Sequence, residues 1–249
     1  MKIKLEKDER IDDLQLNGLK IIQNTNGFCF GIDSILLSDF AKEIPENSKV
    51  LDLGTGTGII ATLLCEKTKL KKIYGIDVQE DVCKMAQKSV KLNNLEEKFE
   101  IINKNIKELE KIFEKNSIDA IVCNPPYKKD NSGIKNETTL KLISRHEITA
   151  NLEDFVRITA SLLKNNCSLY MVHRPERLVD LVCLLRKYNL EPKRLRMVQS
   201  YYNSNPKFFL IKATKNAKSF IDIQKPLIIY NRVNEYTDEI LQIYGKEGK

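Results

Sequence analysis

The sequence predicts a doubly wound α/β domain on a mostly parallel sheet. From Val50 onward, short apolar runs alternate with helical patterns, Gly54-Thr55-Gly56-Thr57-Gly58 follows the first run, and polar residues end later runs at Asp77 and Asn124. Strands separated by helices of ~10 to 15 residues imply right-handed crossovers and a parallel sheet covered on both faces. Ligands of such sheets bind at the carboxyl ends of the strands.

The elements follow in chain order. Asn17-Gly18 lies between alternating apolar residues and signals a tight hairpin, so residues 1–26 form a small β ribbon ahead of a single domain over 27–249. Asp33 is placed to N-cap a helix carrying Ile35, Leu36, Leu37 and Phe40. Val50-Leu51-Asp52-Leu53 is a strand, and Ile59 to Lys67 a helix after the glycine turn. Ile73 to Asp77 is a second strand, and Glu80 to Asn93 a helix ended by Asn94, a residue type that tolerates the left-handed conformation. Phe99 to Ile102 is the third strand, Lys107 to Phe113 a helix, and Ile118 to Cys123 the fourth strand. Lys128 to Glu147 is polar and lacks apolar periodicity, as in a substrate loop. Asn151 and Asp154 open a helix to Leu163, and Asn165-Asn166 turns into the strand Cys167 to His173. Pro175 starts a helix with Leu178, Val179, Val182 and Leu185 inward. Arg194 to Tyr201 and Lys207 to Ala213 form an antiparallel pair closing one edge of the sheet. Beyond Lys225 the tail holds one apolar stretch, Pro226 to Tyr230.

Composition narrows the function classes. The 249 residues are 42% hydrophobic and 30% charged, as in ordinary globular proteins. No apolar run reaches the ~18 residues of a membrane span, and the charged N-terminus has no apolar signal segment, so a cytoplasmic location is expected. Six cysteines without C-x-x-C spacing read as reduced core thiols, and they argue against zinc or any other metal. The formal charge is +7, and residues 141–215 hold 14 Lys and Arg against 6 Asp and Glu. A basic surface on this segment favours a polyanionic partner such as nucleic acid.

Asn124-Pro125-Pro126-Tyr127 ends the fourth strand. Each proline fixes its own φ and restricts the residue before it, so Asn124 and Pro125 are held extended. A side-chain amide, a carbonyl and an aromatic ring are thereby presented together. That set can accept two hydrogen bonds from a planar amino group while the ring covers its face. On its own the turn equally well punctuates a strand.

Together with Asp52, the glycine turn and Asp77, this motif resembles class I S-adenosylmethionine-dependent methyltransferases of the amino-methylating group. Glu9 to Gln15, Phe28 to Leu37, Val50 to Gly58, Asn124 to Tyr127 and Pro226 to Tyr230 are similar to the bacterial tRNA adenine-N6 methyltransferases that modify adenosine 37 of a valine tRNA. The resemblance implies a Rossmann-like class I methyltransferase fold, with a mostly parallel seven-stranded sheet and one antiparallel edge strand.

It also implies a site. Asp52, Gly54, Thr55, Gly56, Gly58, Asp77, Val78, Asn105, Ile106 and Asn124 would hold S-adenosyl-L-methionine, with Phe30 and Asp33 closing over its methionine end. Asn105 stands where such enzymes commonly place an Asp. Asn124, Pro125, Pro126 and Tyr127 would be catalytic. An adenine amino group would donate to the Asn124 oxygen and the Pro125 carbonyl while Tyr127 stacks on a base turned out of its helix. Lys128, Lys129, Arg194, Arg196 and Lys207 would grip tRNA phosphates. A glutamine side chain of a protein presents a similar planar amide, so an N5-glutamine methyltransferase is the alternative, with a DNA adenine methyltransferase a near neighbour. A non-enzymatic RNA-binding module is a third reading, opposed by the intact glycines, Asp77 and Asn124.

Overall fold

The computed structural model describes residues 3–26, 30–127 and 150–246. The ribbon is an antiparallel pair, β1 (Glu9–Asp13) and β2 (Lys20–Asn24). Its turn closes with the Leu14 N–H donating to the Leu19 carbonyl, while Asn17 and Gly18 take positive φ.

The central sheet contains β3 (Lys49–Leu53), β4 (Lys72–Asp77), β5 (Phe99–Asn103), β6 (Ile118–Cys123), β7 (Leu163–His173), β8 (Leu190–Gln199), β9 (Pro206–Lys215) and β10 (Asp222–Ile228). Their spatial order is β10-β8-β9-β7-β6-β3-β4-β5. Only β9 runs antiparallel to its neighbours. The expected fold therefore holds, with eight strands in place of seven. The antiparallel strand also lies inside the sheet and not at its edge. The β8–β9 hairpin folds back into the gap beside β7, and the tail strand β10 then pairs along the free side of β8. Pro226, which cannot donate to a ladder, sits where the β10 register slips beside an otherwise open edge.

The helices are α1 (Ile32–Phe40), α2 (Ile59–Lys67), α3 (Glu80–Leu92), α4 (Leu152–Leu162), α5 (Leu178–Lys187) and α6 (Asp238–Ile243). Residues Ile106–Lys111 make a 3-10 turn where a regular helix is expected. Strand residues alternate between two cores: Ala120, Val122, Tyr170 and Val172 face α1 and α2. Ile121, Cys123, Leu169 and Met171 face α4 and α5. Burial on both faces explains the near-continuous apolar runs of the parallel strands.

The ribbon lies on α3. Ile22 N–H donates to Ser89 Oγ at 2.9 Å, and Lys88 pairs with Glu9 at 2.7 Å. Leu14, Leu19 and Ile21 enter the same core as α1 and α2. Asn94 follows α3 at φ 55°, the left-handed stop its residue type allows. The N-cap of α1 is Gly31, which makes no side-chain cap, and Asp33 lies one residue inside the helix. On α5, Leu181 and Leu185 are fully buried, whereas Val179 points outward at 73% exposure. Leu178 and Val182 pack on the same core as Leu185, and Val179, one position or about 100° of helix from Leu178, falls off that stripe.

Candidate active site

The chain runs outward from β3 to β4 and β5, then returns to β6 on the other side of β3. This reversal is the topological switch point, where open α/β sheets bind ligands. Leu53 pairs with Cys123 in the ladder, so the glycine turn and Asn124 emerge from adjacent strand ends.

Gly54, Gly56 and Gly58 have φ of 73°, 57° and 87°, a region that disfavours side chains. The N–H groups of Gly54 and Thr55 both donate to the Ile76 carbonyl at 2.9 Å, tying the turn to β4. Gly56 N–H donates to Asp77 Oδ2 at 3.0 Å, and Gln79 N–H to Asp77 Oδ1 at 2.9 Å. The Asp77 carboxylate thus braces the turn, with one lone pair on each oxygen left over. Below it, fully buried Asp52 accepts from Thr55 Oγ1 at 2.7 Å. Burial pushes the Asp52 carboxyl up to about 7, against the Thr55 and Ala61 hydrogen bonds that lower it. A Cβ built on Gly56 would meet no atom within 4 Å. This open backbone suits the close approach of a cofactor's amino-acid end.

One cleft is lined by Gly54, Asp77, Val78, Asn105, Ile106 and Pro126 among others, so it joins the glycine turn to the prolyl turn. Asn105 Oδ1 caps the 3-10 turn by accepting from Lys107 N–H at 3.0 Å. That bond commits one of its two lone pairs to the backbone. Phe30 is half-buried, and its N–H donates to Gln23 Oε1 at 2.8 Å.

Asn124 Nδ2 donates to Asp33 Oδ2 at 3.0 Å and to Ser34 Oγ at 3.2 Å. Asp33 can do this because, inside α1, its Oδ1 accepts from Ser34 N–H and its Oδ2 is turned toward β6. The Tyr127 hydroxyl lies 2.5 Å from both Asp33 Oδ2 and Asn124 Oδ1. Burial and the Asp33 carboxylate raise its pKa well above the usual tyrosine range, so the hydroxyl keeps its proton and stays a donor. Its single proton serves one of these two acceptors at a time, so Asp33 and Asn124 Oδ1, the expected acceptor, compete for it.

The Tyr127 ring centroid is 5.4 Å from His173 and 6.1 Å from Phe208. His173 is 1% exposed, and its Nδ1 accepts from Arg174 N–H at 2.8 Å. Burial lowers the imidazole to about 4, helped by the charges of Arg177 and Arg174, so it is neutral. Ser34, His173, Arg174 and Phe208 were not legible as site residues. The available signal was a polar pair ending an apolar strand, as at Asn124.

The expected RNA contacts divide. Lys128 and Lys129 lie outside the described residues. Lys207 is exposed and stands at this edge, two positions before Phe209, which pairs with His173. Arg194 pairs with Glu43, donates to the Phe40 carbonyl at 3.0 Å and stacks on the Phe40 ring at 4.3 Å. Burial would raise Glu43, yet Lys212 and Arg194 hold it below the usual carboxylate range. Arg196 is likewise committed, to Glu239 at 2.7 Å and the Lys225 carbonyl. Both fasten the sheet to neighbouring elements and leave little of the guanidinium for phosphate.

The switch-point cleft, the braced glycine turn and the sheet order with its inserted antiparallel strand define a methyltransferase of class I architecture. The chain belongs to the methyltransferase small domain family, whose model matches residues 30–180. It is 30% identical over 190 residues to a tRNA1(Val) (adenine(37)-N6)-methyltransferase of Parabacteroides distasonis, covering 76% of this chain and 78% of that one. A Porphyromonas gingivalis protein of the same name is 28% identical, with 86% of each chain covered. Among solved structures, a predicted O-methyltransferase from Agrobacterium tumefaciens superposes with a TM-score of 0.68 at 13% identity, over 87% of this chain and 98% of that one. The 16S rRNA N2 G1207 methyltransferase of Thermus thermophilus gives 0.59 at 17% identity, over 86% and 52%. Among the described residues no helix is long and apolar enough to cross a membrane, and no group of side chains is arranged to hold a metal.

Proposed function

We propose that this protein transfers a methyl group from S-adenosyl-L-methionine to the exocyclic N6 of adenine in tRNA, at adenosine 37 of a valine tRNA. The observation that carries this is the Asn124–Tyr127 turn, set on the strand beside the open, braced glycine turn. The names of the curated relatives support the choice of tRNA over a glutamine side chain or DNA.

When bound, the cofactor supplies an electrophilic sulfonium methyl. Gly54, Gly56 and Gly58 admit its amino-acid end, and the spare lone pairs of Asp77 accept from its ribose. Val78, Asn105 and Ile106 line the part of the cleft that suits its adenine. The lone pair of an adenine amino group is delocalised into the ring, which makes that nitrogen a poor nucleophile. Asn124 Oδ1 and the Pro125 carbonyl accept its two N–H bonds, favour a pyramidal nitrogen and aim the lone pair across the cleft. The Tyr127 hydroxyl releases Asn124 for this, and its ring then covers the base. Positioning and electrostatics supply the rate gain, and the proton leaves after transfer. Lys207, Lys128 and Lys129 meet the RNA backbone. The location is the cytoplasm, where tRNA is the substrate.

The test is incubation with methyl-labelled S-adenosylmethionine and separate pools of tRNA, DNA and protein, followed by digestion and mass spectrometry. Label is expected in N6-methyladenosine from tRNA. Label confined to DNA or protein overturns the proposal.

A further inference from the structure

We propose that Arg174 binds the phosphodiester of the substrate nucleotide at the mouth of this site. This rests on the RNA reading above and assigns a contact that reading lacks.

Arg174 follows β7 directly, at the strand end beside Asn124. Its guanidinium carbon lies 5.7 Å from the centroid of the Tyr127 ring and 5.2 Å from that of Phe208. Nη1 donates to the Lys207 carbonyl at 3.1 Å. Two ring contacts and one hydrogen bond fix the plane of the group while most of its five N–H donors stay undirected.

Arg10, Arg157, Arg177, Arg186, Arg194 and Arg196 each pair with a carboxylate. Among the described residues, none pairs with Arg174. Lys207, on the same edge, is exposed. The neighbouring carboxylate, Asp33, is already shared by Asn124 and Tyr127.

A planar, partly desolvated, pre-oriented fork with no carboxylate partner among the described residues is matched by an anion that can accept two parallel hydrogen bonds. A base that enters beside Tyr127 brings such an anion with it, because its own phosphates remain at the mouth. Stacking on Tyr127 and pairing with that phosphate then act together to hold the nucleotide turned out of the RNA stack. The competing account is that Arg174 only covers the two rings.

The test uses the full chain and an anticodon stem–loop RNA, natural or with one uncharged methylphosphonate beside the target adenosine. Arg174→Ala is expected to raise KM for the natural RNA about 10- to 100-fold, the range for a lost charge-assisted hydrogen-bond pair. kcat should change only a few-fold, and Arg174→Lys should recover part of the loss. For the wild type, the methylphosphonate on one side of the target should raise KM similarly. Combined with Arg174→Ala it should add little, because the two changes remove one interaction. Fully additive losses at both positions would overturn the proposal and leave the RNA reading standing. So would a lowered Tm with KM unchanged. Failure of the wild type to methylate either RNA overturns both.

Discussion

The hydroxyl of Tyr127 holds the substrate-free site closed upon itself, and Tyr127→Phe removes that hydroxyl while keeping the ring. In the wild type the hydroxyl meets the Asp33 carboxylate and Asn124 Oδ1, both at 2.5 Å. A hydrogen bond to a charged acceptor contributes about 1.5 to 3 kcal/mol net, so a stability loss of about 2 kcal/mol is expected. For a chain of this size each kcal/mol moves Tm by about 2 to 4 °C, giving a fall of about 4 to 8 °C. Substrate binding should move the other way. The hydroxyl has one proton, so where it is given to Asn124 Oδ1 a bond worth up to about 1 kcal/mol competes with the adenine amino group, and the variant lacks that competitor. KM for the RNA should therefore fall, by up to about fivefold, with kcat within a few-fold. Thermal denaturation and steady-state transfer of labelled methyl groups read the two effects. A hundredfold loss of kcat at unchanged KM would refute the reasoning, because the hydroxyl would then belong to the chemistry. An unchanged Tm would refute the closed network itself.

Other outcomes follow from the same geometry. Asp52 is raised to about 7 from 3.8, so its contribution to stability is full below about pH 4 and is lost as pH rises through 7. His173 is lowered to about 4 from 6.5, so its contribution is full above about pH 6.5 and is lost as pH falls toward 4. The two slopes oppose each other: between pH 4 and 7, Tm of Asp52→Asn should rise with pH more steeply than that of the wild type, and Tm of His173→Gln should shift toward falling with pH. Gly56→Ala places a methyl group in open space at φ 57°, at a strain of about 1 to 2 kcal/mol. The fold should persist while S-adenosylmethionine affinity, read by calorimetry, drops at least about tenfold; unchanged affinity would mean that the turn does not hold the cofactor. Lys207→Ala should leave Tm unchanged and reduce the salt slope of RNA binding by about 0.7. Arg194→Ala should instead lower Tm and leave that slope alone, since its partners are Glu43 and Phe40.

Much of the architecture was legible because both faces of the sheet are covered. The runs Val50 to Leu53 and Ile118 to Cys123 are apolar throughout, and glycine or proline punctuates each one, so the strand–helix alternation reads directly from spacing. The place of β9 was not legible. A short polar connection between two β runs predicts an antiparallel hairpin, which forms, but local pattern does not say on which side of β8 the return strand lies. Nor does it reveal that Pro226 to Tyr230 helps to cover the remaining edge. Val179 faces outward because the inner stripe of α5 runs through Leu178, Leu181, Val182 and Leu185, and a residue directly after Leu178 lies about 100° away around the helix.

Sequence alone determined the chemical parts of the site: a glycine turn after one strand, an acid after the next, and an Asn-Pro-Pro-Tyr turn after the fourth. These are local properties, set by allowed backbone angles and by donors and acceptors within a few residues of one another. Only the tertiary structure decided which parts meet. It set β6 beside β3, turned Asp33 from a helix cap into the partner of Asn124 and Tyr127, and paired Arg194 with Glu43. It also brought His173, Arg174 and Phe208 to the Tyr127 ring. The reason is physical: strand order and helix packing join residues about 90 positions apart in sequence, as with Asp33 and Asn124, and no periodicity within either segment encodes that distance.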